Sequence, residues 1–356
     1  GLFLTRVALM NPGVLPATAL LRYLKRDGTL VTQTVPVGPQ SRATVDVETV
    51  GGMADAEFST AIEADESLVI DRTMRWTPAG RYGSHAEHSI LAPAPTWYLA
   101  EGATHSGFDL FYLLQNPNDS QAEVRVRYLL PSGANLEKTY TVKANSRANI
   151  WVDFEQFPEG SGHVALADTD VSAVVEVLND VPIIVERAMY LTRPGEFFAA
   201  GHESAGVTAP ALTWSLAEGA TGPYFDLFVL IANPNAQDAA ITATYLLEGG
   251  ATATRTYTVG ANSRFNIWVD YEGGPLADAA VSTRIDVTNG VPVIVERAMW
   301  WPYGPGSWNE AHNSAGSTET GTRWGLAEGE VGGPDGTDTY ILIANTSSYA
   351  GQAIVT

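Results

Sequence analysis

The chain has 356 residues, of which 40 are acidic and 20 basic, so its net charge is −20. A surface this acidic repels phosphate backbones and anionic lipid, which disfavours nucleic acid and membrane surfaces as partners. There is no cysteine, which excludes disulfides and thiolate catalysis, and no apolar run is long enough for a membrane span. The length accommodates two to four domains.

A repeated set of motifs organises the chain. Its opening segment, Trp-x-Leu-Ala-Glu-Gly, occurs at 97–102, 214–219 and 324–329, and we call each copy a WxLAEG segment. Behind the first two copies follow an Asn-Pro-Asn turn, an Asn-Ser-Arg turn and a Glu-Arg-Ala-Met strand, in the same order. Motifs that recur in fixed order indicate a tandem repeat of about 110 residues.

A diverged copy of this repeat opens the chain, and the chain stops inside another copy. Met10–Gly13, Ser41–Arg42 and Asp71–Met74 stand where the later motifs belong, but no WxLAEG segment precedes them. The sequence therefore predicts four units: unit 1 at 1–96 (without its first strand), unit 2 at 97–213, unit 3 at 214–323 and the start of unit 4 at 324–356.

Within a unit the apolar residues alternate with polar ones, as in a half-buried strand. Val124, Val126 and Tyr128 are separated by Arg125 and Arg127. Turn residues separate about seven such strands per unit, and there is no amphipathic helix of credible length. The pattern predicts an all-β protein of tandem immunoglobulin-like antiparallel β-sandwiches.

The junctions between units are short and contain proline. Ala92-Pro-Ala-Pro95 and Ala209-Pro-Ala211 are typical of stiff linkers, and there is no Gly-Ser tract around them. These linkers predict a jointed rod.

Charged residues recur at fixed positions of the repeat. A carboxylate pair such as Glu101 and Asp109 raises the hypothesis of an acid–base dyad. Recurrence favours a structural role, because a framework repeats with every unit and a catalytic site rarely does. An acid next to an arginine on an apolar strand places one charge inside, where it persists only if it is paired. The predicted structural ion-pair residues are Arg72, Glu186, Arg187, Glu296, Arg297, Asp109 and Asp226.

Two of these arginines carry a sharper expectation. Arg187 and Arg297 lie on strands that are otherwise apolar, so we expect each to be buried against a carboxylate of its own unit.

The histidines and serines form no recognisable enzyme signature. His202 and His312 each precede a serine by two residues, but no Gly-x-Ser-x-Gly elbow occurs anywhere. Zinc-type spacings such as His-Glu-x-x-His are missing too. The sequence predicts a protein that is not an enzyme and has no cofactor, no catalytic residue and no metal site.

Four aromatic residues cluster in unit 3, within a segment rich in glycine and proline. An exposed platform of this kind stacks on sugar rings, whereas a buried one joins neighbouring domains, and packing is the favoured interpretation. The cluster consists of Trp300, Trp301, Tyr303 and Trp308.

Three blocks of sequence resemble a known repeat. Trp97-Tyr-Leu-Ala-Glu-Gly-Ala-Thr104, Asn145-Ser-Arg147 and Ile184-Val-Glu-Arg-Ala-Met-Tyr190 look like a tandem repeat of large secreted or surface-anchored bacterial proteins. The resemblance is clearest from unit 2 onward, and unit 1 departs from it at Asp71 and Thr73. It implies an extracellular β-sandwich repeat on the bacterial cell surface, and it supplies no catalytic residues.

Two functions follow as hypotheses. The first is a non-enzymatic structural protein, such as a stalk, adhesin shaft, surface-layer component or filament subunit. The alternative is an array of carbohydrate-binding modules that bind surface glycans through the aromatics of unit 3. The expected partners are neighbouring repeats or other copies of the chain, with head-to-tail assembly through residues 324–356 as one route.

Overall fold

The computed structural model of the protein describes residues 2–77, 83–302, 304, 308–332, 336 and 338–356. The protein is all-β, with 53% strand and 5% helix. Its described residues form six antiparallel sheets of three or four strands. The fold class predicted from the sequence is confirmed.

Each of the first three units contributes its own strands. Unit 1 contains β1 (Phe3–Asn11), β2 (Ala17–Lys25), β3 (Leu30–Val37), β4 (Ser41–Asp46), β5 (Phe58–Ala64), β6 (Val69–Trp76) and β7 (Gly83–His88). Unit 2 contains β8 (Thr96–Leu99), β9 (Phe108–Asn116), β10 (Ala122–Leu129), β11 (Asn135–Val142), β12 (Ser146–Trp151), β13 (Ser172–Val177), β14 (Ile184–Arg193) and β15 (Glu196–Ala205). Unit 3 contains β16 (Thr213–Leu216), β17 (Asp226–Asn233), β18 (Ala239–Leu247), β19 (Thr252–Val259), β20 (Ser263–Trp268), β21 (Val281–Val287), β22 (Ile294–Trp301) and β23 (Glu310–Ala315).

Single turns of 3₁₀-helix follow some of these strands. They span Val47–Thr49, Val152–Phe154, Glu248–Gly250, Val269–Glu272 and Gly274–Leu276.

Units 2 and 3 have the same strand order. In unit 2 one sheet runs β11-β10-β13-β8 and the other runs β12-β9-β14-β15. The second strand thus pairs with the fifth and the third with the sixth, as in the immunoglobulin fold. Two strands differ from that fold. The short first strand joins the sheet of the third and sixth strands, and the seventh strand (β14 in unit 2, β22 in unit 3) joins the sheet of the second and fifth.

These two units have eight strands each among the described residues, where the sequence predicted about seven. The last strand of unit 2, β15, shows why alternation does not reveal every strand. Eight consecutive residues of β15, from Phe198 to Ala205, are buried. A strand that is covered on both faces lacks the apolar–polar alternation by which half-buried strands are recognised.

A buried asparagine holds the turn after the second strand of units 2 and 3. Asn116 donates from Nδ2 to the carbonyl oxygens of Ser120, Val142 and Lys143 at 2.8–3.1 Å. Asn233 makes the same three bonds in unit 3. The Asn-Pro-Asn motif therefore closes one end of each sandwich.

The units do not follow one another in a line. Strand β15 of unit 2 packs against β7 of unit 1 and also against β23 of unit 3. Residues 327 and 328, near the start of unit 4, donate backbone hydrogen bonds to Asp71 of unit 1. The jointed rod predicted from the linkers is therefore wrong, because buried contacts between the units, rather than linker stiffness, set their arrangement.

Candidate functional site: buried ion networks between the units

The acid–arginine pair of the repeat connects successive units. Arg72 of unit 1 contacts Glu186 of unit 2 (Nη1 to Oε2, 3.0 Å), and Arg187 of unit 2 contacts Glu296 of unit 3 (Nη1 to Oε2, 2.5 Å). In these two pairs the arginine thus reaches forward to the next unit. The neighbouring acid receives the arginine of the unit before it.

The joint between units 2 and 3 is centred on Arg187, which is fully buried. Its Nη2 lies 3.1 Å from Glu101 Oε2, so Arg187 holds a carboxylate of its own unit as well as Glu296. Glu101 also accepts a hydrogen bond of 2.6 Å from Asn313 of unit 3 and lies 3.4 Å from His202 Nε2. Both units therefore contribute to a single desolvated network.

The joint between units 1 and 2 uses the same positions with different partners. Arg72 pairs with Glu203 as well as Glu186, and both carboxylates belong to unit 2. Glu87 of unit 1 accepts a hydrogen bond of 3.0 Å from the backbone of Ala205. Beside this polar cluster the Trp76 indole donates to the Phe198 carbonyl at 2.8 Å.

In unit 3 the corresponding arginine, Arg297, is 3% exposed. Its Nη1 lies 3.1 Å from Glu218 Oε2, within its own unit, and its Nη2 hydrogen-bonds His312 Nδ1 at 2.8 Å. Arg187 and Arg297 therefore both lie buried against the glutamate of their own WxLAEG segment. The sequence offered no signal for the further contact that Arg187 makes across the unit boundary.

The WxLAEG segments dock onto other units in one recurring way. Ala100 of unit 2 donates its backbone N–H to Glu296 of unit 3 at 2.6 Å, and Arg264 of unit 3 donates to the Gly102 carbonyl. At the start of unit 4 the Ala327 N–H donates to Asp71 of unit 1 at 2.7 Å.

Arg42 of unit 1 completes the parallel. It donates to the Gly329 carbonyl, as Arg264 does to the equivalent glycine of unit 2. Thr73 of unit 1 also donates to Glu328 at 3.1 Å. The WxLAEG segment of unit 4 therefore contacts unit 1 in the same way that the segment of unit 2 contacts unit 3.

The aromatic cluster of unit 3 lies between units 2 and 3. Trp300 and Trp308 are 2% and 7% exposed and pack within the core of unit 2, where the Phe108 ring is 5.1 Å from that of Trp300. Trp301 is half-buried and packs against Phe225. Tyr303 lies outside the described residues.

Two predicted ion-pair residues have neutral partners instead. Asp226 is fully buried and accepts hydrogen bonds from the indoles of Trp268 (3.1 Å) and Trp308 (2.6 Å). Asp109 accepts one from Thr192 Oγ1 at 2.6 Å. The prediction of an ion pair is wrong at both positions within the described residues, because side-chain N–H and O–H donors satisfy the carboxylate oxygens in place of an arginine.

Opposite charges keep the network ionised despite its burial. Burial alone would raise the pKa of Glu101, but His202 and Arg187 hold it below its usual value. Burial would likewise lower the pKa of Arg187, but Glu296 and Glu101 hold it above its usual value. Glu203 is the exception, because burial raises its pKa well above the usual value even beside Arg72.

The geometry of these charged clusters is that of contacts that hold neighbouring units together. Their charged atoms face each other across unit boundaries, and Glu101, Arg187 and Glu296 are each at most 3% exposed. Among the described residues no group of three His, Asp or Glu side chains is arranged to hold a metal ion. No helix in the described part of the chain is long and apolar enough to cross a membrane.

No protein-family model and no curated protein matches the chain. Among solved structures it is similar to Thermotoga maritima 1070, with 17% identity and a TM-score of 0.28, over 32% of this chain and 100% of that one. It is similar to the Anabaena sensory rhodopsin transducer, with 22% identity and a TM-score of 0.23, over 28% of this chain and 99% of that one.

A third similarity is to a tetra-tandem repeat in the extending region of a large adhesion protein. The identity is 11% and the TM-score 0.11, over 85% of this chain and 68% of that one. None of these three similarities assigns a function to this chain.

Replacing Arg187 tests the joint. We expect Arg187→Ala to lower the free energy of unfolding by about 3–5 kcal/mol, because it leaves the buried Glu101 and Glu296 without their counter-charge. Arg125→Ala is the matched control, since Arg125 pairs with Glu176 at a surface where the two side chains are 42% and 36% exposed. Urea denaturation followed by tryptophan fluorescence measures both. Equal effects of the two substitutions would contradict the role of Arg187.

The joint between units 1 and 2 predicts a dependence on pH. Burial, together with the charge of Arg72, holds the pKa of His85 well below its usual value. As pH falls below about 6.5, the unfolded imidazole takes up a proton that the folded one does not, so stability decreases. His85→Gln should reduce the slope of stability between pH 7.5 and 5, and the exposed His163→Gln should leave it unchanged. Thermal melts across this range provide the measurement, and identical slopes for wild type and His85→Gln would refute the assignment.

Proposed function

We propose that the chain is a non-enzymatic structural repeat protein of the bacterial exterior. The observation that carries this proposal is that the same acid–arginine pair joins unit 1 to unit 2, through Arg72 with Glu186, and unit 2 to unit 3, through Arg187 with Glu296. A binding or catalytic site would leave its charged groups accessible, whereas these charged groups are paired with each other in the joints between units. The resemblance to repeats of surface-anchored bacterial proteins supports the extracellular location.

Carbohydrate binding is the alternative function. Two rings of the aromatic platform that would bind the sugar are buried, since Trp300 and Trp308 are 2% and 7% exposed. Among the described members of the cluster, Trp301, half-buried beside Phe225, keeps a partly open face.

Two assays test the role and location together. Antibodies against the chain should label intact source cells without permeabilisation, and the purified chain should give no saturable signal on a glycan array. Labelling that requires permeabilised cells would overturn the surface location. Glycan binding that is abolished by Trp301→Ala would replace the structural role with the alternative.

The partners we propose are neighbouring repeats of the same kind. Head-to-tail assembly through residues 324–356 is one arrangement, and closure of unit 4 onto unit 1 of the same chain is the other. The contacts of Ala327 and Glu328 with Asp71 and Thr73 support closure within the chain.

A cross-link distinguishes these arrangements cleanly, because the chain has no cysteine of its own. Thr73→Cys combined with Glu328→Cys places two thiols at a pair now in hydrogen-bond contact, at 3.1 Å. With a short bis-maleimide we expect an internally linked monomer on a denaturing gel. Each single variant is the control and should give none. A ladder of dimers and higher species would favour head-to-tail assembly instead.

A further inference from the structure

Strand β19 forms a lateral edge of unit 3. Its sheet has the order β16-β21-β18-β19, so among the described residues β19 pairs only with β18. The equivalent strand of unit 2, β11, is an edge strand as well, although unit 2 has a neighbouring unit before it and another after it. The free edge of β19 is therefore a property of the repeat and does not depend on where the sequence begins or ends.

The backbone groups that face this edge follow from the hydrogen bonds of the hairpin. Leu247 N donates to the Ala251 carbonyl at 2.9 Å, at the start of the ladder between β18 and β19. Bonds in an antiparallel ladder recur at every second residue, so the odd-numbered residues of β19 bond to β18. The N–H and C=O groups on the free side belong to the four threonines of the strand, which are Thr252, Thr254, Thr256 and Thr258.

Two further observations agree with this assignment. The Arg255 guanidinium donates from Nη1 to the Thr254 carbonyl at 3.0 Å, so that carbonyl is open to a donor outside the ladder. In unit 1, Pro36 occupies the position of Thr258, two strands having the same register. Proline has no N–H, and within sheets it is found on edge strands with its nitrogen toward solvent.

The edge strands of units 1 and 2 carry residues that block the addition of another strand, whereas β19 does not. Strand β3 has Pro36, and β11 has Glu137, exposed, and Lys138 beside it. Proline and charged side chains are the usual protection of an open edge. Strand β19 has no proline or glycine, and its single charge, Arg255, is neutralised by Glu272 at 3.2 Å. Its composition of threonine, tyrosine and valine favours strand pairing.

The neighbouring strand is uncharged on the same face. Thr242 and Thr244 of β18 lie opposite Thr256 and Thr254 of β19. Unit 2 has two arginines at these positions of β10. Two copies of a chain with net charge −20 repel each other. An edge and a face without net charge are where this repulsion opposes close approach least.

The sequence of β19 is complementary to itself in one antiparallel register. With Thr256 opposite Thr256 of a second copy, Thr254 lies opposite Thr258 and Arg255 lies opposite Tyr257. Threonine pairs are favourable across strands, and a guanidinium over a tyrosine ring adds a cation–π contact. A register shifted by two residues would place Arg255 opposite Arg255, which like-charge repulsion disfavours.

We propose that β19 pairs antiparallel with β19 of a second copy of the chain, with Thr256 on the two-fold axis. The free N–H and C=O groups of Thr254, Thr256 and Thr258 then form backbone hydrogen bonds, and the two four-stranded sheets become continuous. The contact is isologous and lateral, so it closes as a dimer. A single strand pair is at the small end of specific interfaces, below about 1,200 Å², so the dimer is weak and depends on protein concentration.

This lateral contact adds a second copy to the partners of the proposed structural role and rests on that role for its use. Its failure would leave the joints between the units untouched, because β19 contributes no residue to them.

Sedimentation velocity of the 356-residue chain over a series of rising concentrations tests the pairing. We expect the monomer to give way to a dimer, with slower amide exchange at Thr254, Thr256 and Thr258. Thr256→Lys should weaken the association about tenfold or more, because two like charges meet at the axis. Thr139→Lys is the matched control at the equivalent position of β11 and should leave the association unchanged.

Cysteine substitution tests the register, because the chain has no cysteine of its own. Thr256→Cys places two thiols opposite each other at the axis, where a hydrogen-bonded pair has a Cα separation of about 5.5 Å, suitable for a disulfide. We expect a disulfide-linked dimer on a non-reducing gel. Thr254→Cys alone should give none, whereas an oxidised mixture of Thr254→Cys and Thr258→Cys should give the mixed dimer.

Three outcomes would overturn the proposal. One is a chain that stays monomeric at every concentration while circular dichroism shows that it is folded. Another is an equal disulfide yield from Thr254→Cys and Thr256→Cys. The third is a dimer that persists in Thr256→Lys and dissociates on Glu328→Ala, which would assign the association to the segment 324–356.

Discussion

A buried guanidinium on an otherwise apolar strand requires a carboxylate within reach, and this requirement organises the units. Removing an ion from water costs several kcal/mol, and only a well-placed counter-charge offsets that cost. Arg187 meets the requirement twice, with Glu101 of its own unit and Glu296 of the next. A contact that stabilises one sandwich therefore also fixes the position of its neighbour, so the interior of each unit and its joint form one structure.

The WxLAEG segment has two roles for the same reason. As a strand it covers the sandwich edge and buries its tryptophan, and through its alanine and glycine backbone it docks on another unit. The WxLAEG segment of unit 4 docks on unit 1, although unit 4 has no paired strand of its own among the described residues.

Sequence reasoning found the charged positions but only part of their environment. The apolar neighbours of Arg187 predicted its burial and a carboxylate partner within its own unit. A period-two pattern does not identify Glu296 as the second partner of Arg187. Alternation shows which face of a strand is covered, but it does not show which part of the protein covers that face. The same limit applies to Asp109 and Asp226, where the recurring charge was visible but the neutral donors around it were not. Of the aromatic residues that the sequence grouped together, Trp300 and Trp308 do pack against each other, and their burial between two units decides what Trp300 contacts.

The sequence by itself determined the repeat and the all-β class, because both are recorded locally in motif order, alternation and turn residues. Only the tertiary structure decided that the units turn back on one another, so that β7, β15 and β23 pack together and Ala327 reaches Asp71. That arrangement depends on charge pairs more than a hundred residues apart, such as Arg72 with Glu186 and Arg187 with Glu296. Pairing at such separation leaves no periodicity in the chain, since it is fixed by the geometry of packed surfaces and the cost of leaving a buried charge alone.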